Sequence, residues 1–225
     1  LLEYSELQAF LRAEIESLPP DAMPEVVLEN PSQVASYHRY LVYTVALFWW
    51  LFGISWTSLE PLLALLFAWA DVAVYGIMRL GMRRTFALAA TLGVMISPAM
   101  LGTLTELRDF SKAPFILSIL MGLGWLIKHK AGSRQLLILS IFLGLATGLG
   151  MGFSQDVFMF LPLSLVVLGV AAFRTNVRPR LPRLLSIPLC LLCFYAVAWP
   201  MLGRMEGAAH PNHFFVQGFS VKRLD

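Results

Sequence analysis

Charge is what this chain has least of. Only 14% of its 225 residues are Asp, Glu, Lys or Arg, against about 25% in ordinary soluble domains. A water-facing surface of normal polarity is thereby excluded for most of the chain. Cysteine is nearly absent, with Cys190 and Cys193 the only two, so a disulfide framework is excluded. Helical spacing puts these two thiols on one face of an apolar run, where thiols behave as small hydrophobes; a C-x-x-C redox pair is the alternative. Low-complexity tracts and clear internal repeats are missing as well. So is a basic, apolar signal peptide at the start.

Apolar residues fill the space. They make up 58% of the sequence, and mean hydropathy is +0.70. They come in blocks of about 17–25 residues, the length that crosses a bilayer as a helix. Lipid satisfies no backbone hydrogen bonds, so such blocks must be helical. The sequence predicts an all-α fold, a polytopic transmembrane helix bundle of about six spans plus interfacial helices. The spans are expected near Pro61–Leu80, Thr85–Leu104, Pro114–Ile127, Gln135–Gly152, Val157–Phe173 and Leu184–Leu202. The third is short and borrows from its flanks. Leu41–Gly53 is long enough only to lie along or dip into the interface, and Trp49, Trp50 and Trp56 suit that boundary. Three regions follow: an outer-face amphipathic and interfacial segment over 1–60, a transmembrane bundle over 61–202, and an outward-facing tail over 203–225.

Basic residues give the orientation. Arg79, Arg83 and Arg84 share one loop, Lys128, Lys130 and Arg134 another, and Arg174, Arg178, Arg180 and Arg183 a third. These alternate loops hold ten of the 17 basic residues and none of the 14 acids. The positive-inside rule makes them cytoplasmic. The turn around Asp109, the Gln155-Asp156 turn and both ends of the chain then face outward. The pattern accounts for the net charge of +3 without nucleic acid as a partner.

Leu1–Leu18 has the pattern of an amphipathic helix, with Leu2, Leu7, Phe10, Leu11 and Ile15 on one face. Its outward placement leads us to expect a further span ahead of Leu1. Pro19–Pro24 breaks the helix. Gly203–Asp225 is a polar tail whose end looks cut, as in one part of a longer protein.

Candidate chemistry concentrates in Leu104-Thr-Glu-Leu-Arg-Asp-Phe-Ser-Lys-Ala-Pro114, expected as a short interfacial loop between two apolar runs. Glu106 and Asp109 are three residues apart, so one helical turn would stack them on one face. Such carboxylates can bind a divalent metal or act as a general base on an incoming hydroxyl. Arg108 and Lys112 can hold a phosphate. Alternatively, the two cations only neutralise the two acids. Asp156 belongs to the same site if its turn folds over the Asp109 turn; otherwise it, or Ser154, caps the next helix. Asp71 lies mid-span, where an acid is expensive and functional by default, unless Tyr75 one turn on is its structural partner. The other spans carry no comparable acids, which argues against a pump or ion-coupled transporter. His210 and His213 have the spacing of two metal ligands without a third. His38 and Arg39, beside Tyr37 and Tyr40, either meet a phosphate or sugar or anchor the boundary. Gly144, Gly148, Gly150 and Gly152 let helices approach closely; without strand context they are no nucleotide loop.

The stretch Ser36-Tyr-His-Arg-Tyr-Leu-Val-Tyr-Thr-Val-Ala-Leu-Phe-Trp-Trp-Leu-Phe-Gly53 resembles the interfacial segment of GT-C-type membrane glycosyltransferases, the group of protein O-mannosyltransferases and lipid A aminoarabinose transferases. The similarity continues through Asp71–Arg84 and Phe86–Pro98 to the charged stretch at Asp109, covering about residues 36–130. The resemblance implies transfer of a sugar from a polyprenyl-phosphate donor at the outer face of a bacterial-type inner (plasma) membrane. It would place Asp109 at the acidic position of the second outer loop, assisting a divalent metal (Mg²⁺ or Mn²⁺) or the donor phosphate, with Arg108 and Lys112 as phosphate partners. The family's principal catalytic acid belongs in the first outer loop, upstream of Leu1 or within Glu3–Glu29. No Asp-Glu or Asp-x-Asp occurs there. A second expectation, of a different class, is a non-catalytic integral membrane subunit that packs within a larger energy-transducing or envelope complex.

Overall fold

The structure, a computed structural model, describes residues 38–103, 106–173 and 181–202. The expected amphipathic helix at Leu1–Leu18, the Pro19–Pro24 breaker, the acids of Glu3–Glu29, the tail with His210 and His213, and the basic residues Arg174, Arg178 and Arg180 lie outside these. Helix accounts for 88% of the described residues and no strand forms among them, as an apolar chain in lipid requires.

The helices are α1 (Arg39–Phe52), α2 (Glu60–Gly81), α3 (Arg84–Met95), α4 (Pro98–Thr103), α5 (Leu107–Phe110), α6 (Ala113–Lys128), α7 (Ser133–Phe153), α8 (Phe160–Phe173), α9 (Leu181–Leu184) and α10 (Ser186–Leu202). Short 3₁₀ turns at Thr57–Leu59 and Gln155–Met159 lead into α2 and α8. Local sequence explains the boundaries. Pro61 and Pro114 stand in the first turns of α2 and α6, where no N–H is needed. Arg79 and Lys128 sit in the last turns of the same helices, against the negative end of the dipole. Gly53, with φ of 89°, closes α1; a side chain would be strained there.

Four helices are long and apolar enough to cross a membrane: Thr57–Gly81, Leu107–Lys128, Ser133–Phe153 and Gln155–Phe173. The first, fourth and fifth expected spans are among them. So is the third, which borrows on its N-terminal side. Leu107–Phe110 is therefore helical, and a tight turn at Ser111 and Lys112 leads it straight into α6, where the sequence led us to expect a loop. Buried Phe110 anchors it, with its ring 6.2 Å from Phe67 of α2.

The remaining two of the six are shorter apolar helices, Arg84–Met95 and Ser186–Leu202. The expected span Thr85–Leu104 is interrupted before Pro98. Ser97 Oγ accepts the Met100 N–H, the geometry of a helix cap, and Pro98 opens α4. At 1.5 Å per residue α3 is about 18 Å long, short of the roughly 30 Å apolar core of a bilayer.

The centre of the bundle is α7, most of whose glycine-rich half is buried. It runs antiparallel to α6: Gly150 meets Phe115, and Gly122 meets Phe142 and Leu143. It runs parallel to α10, with Gly144 against Cys190 and Gly148 against Phe194 and Val197. Both thiols are free, and Cys190 is a packing residue. Helix α2 lies parallel to α6, with Trp69 against Phe115 and Gly124 against Leu80. The core comprises Phe115, Ile119, Leu136, Leu143, Val157 and Leu168 with their neighbours. The two ends of the bundle therefore differ. One carries the Asp109 and Asp156 turns; the other carries Arg79, Arg83, Arg84, Lys128, Lys130, Arg134 and Arg183.

Inside α2, Asp71 Oδ1 is buried with no hydrogen-bond partner among the described residues, so the pairing with Tyr75 does not form. Removing such a group relieves a desolvation cost of about 1–3 kcal/mol. Asp71→Leu is expected to raise the melting temperature in detergent; a lower one would show that the carboxylate is paired.

Candidate functional site

Helix α1 lies across the Asp109 end of the bundle, held by its first residues. The His38 Nδ1–H donates to the Phe153 carbonyl at the end of α7. The Tyr40 hydroxyl donates to the Val197 carbonyl of α10, and Arg39 donates to the Pro200 carbonyl at 3.2 Å. The Tyr40 ring lies where a Cβ on Gly152 would stand, so Gly152 makes the seat for α1. Burial pushes the Tyr40 phenol up, with Arg39 partly opposing. The phenol thus keeps the proton it donates. Arg39 also stacks on Tyr43, 5.2 Å from the ring centroid, and donates to its hydroxyl at 2.8 Å. His38 and Arg39 are thus placed as anchors of α1 against backbone carbonyls.

Beyond α1 the chain turns back at Gly53. The Trp49 indole N–H donates to the Ser55 carbonyl at 3.0 Å, and Trp49 and Trp56 meet edge to face. This turn and α1 face α5 across an open groove of about 770 Å³. Its wall is apolar: Leu41, Val42, Val45, Trp49, Trp56 and Leu59. Its polar rim is Glu106, Arg108 and Asp109. The sequence marks Trp49 and Trp56 as boundary residues, but nothing local shows that they wall a groove ending at the charged turn.

The charged turn is ordered by its own pairs. One Asp109 carboxylate oxygen is 3.5 Å from the Arg108 guanidinium and the other 3.8 Å from Lys112 Nζ. Lys112 reaches further, to Asp156 Oδ2 at 2.8 Å. The Asp156 turn does fold over the Asp109 turn, and Lys112 is the bridge. Ser111, fully buried, ties the turn down by donating to the Arg108 carbonyl. Glu106 is different. Its backbone carbonyl accepts from Asp109 and Phe110, while its side chain is exposed and in no ion pair among the described residues. Beside Asp156, Gln155 Oε1 is buried without a partner among those residues, a feature the sequence did not flag.

Geometry assigns different chemistry to residues that look alike in sequence. Lys112 is occupied by two carboxylates and does not line the groove. Arg108, more than half exposed, presents its remaining N–H groups at the rim. Asp109 has a cation at each oxygen, whereas Glu106, at the groove, is in no ion pair among the described residues. A divalent ion takes about six oxygen ligands. Among the described residues no three of His, Cys, Asp and Glu gather into a metal-binding group. The groove pairs an apolar wall along α1 with a rim of one cation and two carboxylates. No family model matches the chain, and neither a curated protein nor a solved structure matches it.

Proposed function

We propose that this chain is a GT-C-like membrane glycosyltransferase, or a part of one, that takes a sugar from a polyprenyl-phosphate donor. The observation that carries the reading is the apolar groove along α1 ending at Arg108, Glu106 and Asp109. A polyprenyl-phosphate sugar needs both parts at once: a lipid-accessible apolar wall and, at its end, a cation beside a carboxylate. In this reading the prenyl chain lies against Val42, Val45 and Trp49, and Arg108 binds the phosphate. Asp109 holds Arg108 and Lys112 in place. Glu106 accepts the proton of the acceptor hydroxyl as its oxygen bonds to the anomeric carbon. The bond from that carbon to the phosphate oxygen breaks, and polyprenyl phosphate leaves with the electron pair. The basic end of the bundle is cytoplasmic, and the groove opens on the outer side of a bacterial-type inner membrane.

The test is transfer from a radiolabelled polyprenyl-phosphate sugar pool in membranes carrying the full-length protein. Asp109→Asn is expected to lower transfer strongly at unchanged protein level. Arg108→Gln loses a charge-assisted contact of about 1.5–3 kcal/mol and is expected to raise the donor KM by roughly 10–100-fold. Absence of transfer in wild type overturns the reading.

The mutual neutralisation of Arg108, Asp109, Lys112 and Asp156 favours a second reading, a non-catalytic subunit within a larger membrane complex. That reading requires no transfer, co-purification in a stable assembly, and loss of the assembly in Asp156→Asn.

A further inference from the structure

At the opposite end of the bundle, α2, α6 and α7 enclose a second open groove of about 670 Å³. Met121, Ile138 and Phe142 form its apolar length, and Arg79, His129 and Gln135 stand at its mouth. The polar groups are individually held. Arg79 donates to the Met82 carbonyl at 2.8 Å, which fixes the guanidinium while leaving its other N–H groups open. His129 stacks on Trp125 with centroids 4.9 Å apart. Gln135 accepts the Gly132 N–H, so its amide is turned toward the start of α7. Beside them, the Lys128 ammonium closes α2 to α6 by donating to the Leu80 carbonyl. The adjoining loops, 81–84 and 128–134, contain four further basic residues, Arg83, Arg84, Lys130 and Arg134, and no acid.

We infer that this groove is a binding site for an anionic diacyl phospholipid, its phosphate at Arg79 and His129 and an acyl chain along Ile138 and Phe142. Charge complementarity identifies the occupant. A cationic mouth with no acid near it selects an anion, and an apolar wall running along the helices selects one that carries a long chain. Basic pockets between membrane helices hold lipid headgroups for this reason. A soluble phosphate would use the mouth and leave the wall empty. The site lies at the far end of α6 from Glu106–Asp109, so it does not depend on the transferase reading.

The experiment is native mass spectrometry of the full chain released from mixed micelles with equal phosphatidylglycerol and phosphatidylcholine. Wild type is expected to retain phosphatidylglycerol at least about fivefold over phosphatidylcholine, the worth of one basic contact at an anionic headgroup. Arg79→Gln is expected to lose about that fivefold preference. Ile138→Trp, at an exposed position, fills the groove without touching the charge and is expected to remove the adduct altogether. Lys130→Gln, outside the groove, is expected to leave it. Equal retention of the two lipids overturns the inference. So does an equal fall in Lys130→Gln, which would indicate only a diffuse basic surface, and so does displacement by soluble glycerol phosphate. An adduct that survives both Arg79→Gln and Ile138→Trp overturns it too.

Discussion

Gly144→Val is expected to separate α7 from α10 and to leave a protein that melts far below wild type. A Cβ at Gly144 would stand 2.4 Å from the Cys190 carbonyl oxygen, 2.9 Å from Cys193 Cβ and 3.1 Å from the Phe194 nitrogen. Two of these are backbone atoms of α10, so no rotamer change relieves the overlap and the helices must move apart. Between helices in lipid, close packing takes the place that the hydrophobic effect holds in water. Separation therefore removes much of what joins this pair. Overpacking of this kind costs about 1–3 kcal/mol, and a branched side chain against backbone belongs at the upper end. For a chain of this size that is a fall of roughly 6–12 °C in melting temperature, read by fluorescence-detected size exclusion after heating in detergent. Gly148→Val is expected to follow with a smaller loss, because its Cβ meets the Phe194 carbonyl at 2.9 Å. Gly93→Ala is the counter-case. Nothing lies within 4 Å of a Cβ there, and alanine favours the helix by about 1 kcal/mol. If Gly144→Val melts with wild type, α7 and α10 do not pack as described.

Glu106→Gln is expected to lower kcat for sugar transfer by about 10²–10⁴-fold, the range for removing a general base, while the donor KM changes little. Glu106 and Asp109 are three residues apart and equally acidic in sequence; their surroundings separate them. Each Asp109 oxygen faces a cation, at 3.5 and 3.8 Å, which in the proposed reading makes it the group that holds Arg108 and Lys112 in place. Glu106 lines the groove, and among the described residues its oxygens are in no ion pair. Asp109→Asn instead releases Arg108 and Lys112, so its effect is expected to fall on donor KM as well as on kcat. Glu106→Asp is expected to recover part of the rate, since the base is restored at a shorter reach. The split between kcat and KM is the deciding measurement. A kcat in Glu106→Gln equal to wild type removes Glu106 from the chemistry. A KM effect in Glu106→Gln matching that of Asp109→Asn would make both acids positioning residues for the phosphate.

Much of this protein is written in runs of adjacent residues, and those parts were legible. The long apolar blocks, the glycines of α7 and the segregation of Arg and Lys from Asp and Glu all depend on neighbours along the chain. Composition and periodicity therefore determined the helical class and the existence of a membrane-length bundle. The borrowed N-terminal turns of Leu107–Lys128 followed from the same length argument, since Pro114–Ile127 alone is too short to cross. The interruption at Ser97-Pro98 was also present as a signal, a proline behind a capping serine, but the apolar run continuing through it masked the break.

The candidate site is a different matter. Lys112 and Asp156 are 44 residues apart, and they meet because Gly150 lets Phe115 close against α7. The seat of α1 exists because Gly152 leaves room for Tyr40 and the Val197 carbonyl is there to receive its hydroxyl. The groove, its charged rim and the unequal surroundings of Glu106 and Asp109 all follow from those contacts. The sequence by itself determined which segments are apolar enough to be helices in lipid and which end of each is basic, because hydration and backbone hydrogen bonding act locally. Only the tertiary structure decided which carboxylate is paired and which is free, because charge pairing falls off within a few ångströms and those distances are set by how closely the glycine faces of α7 let its neighbours approach.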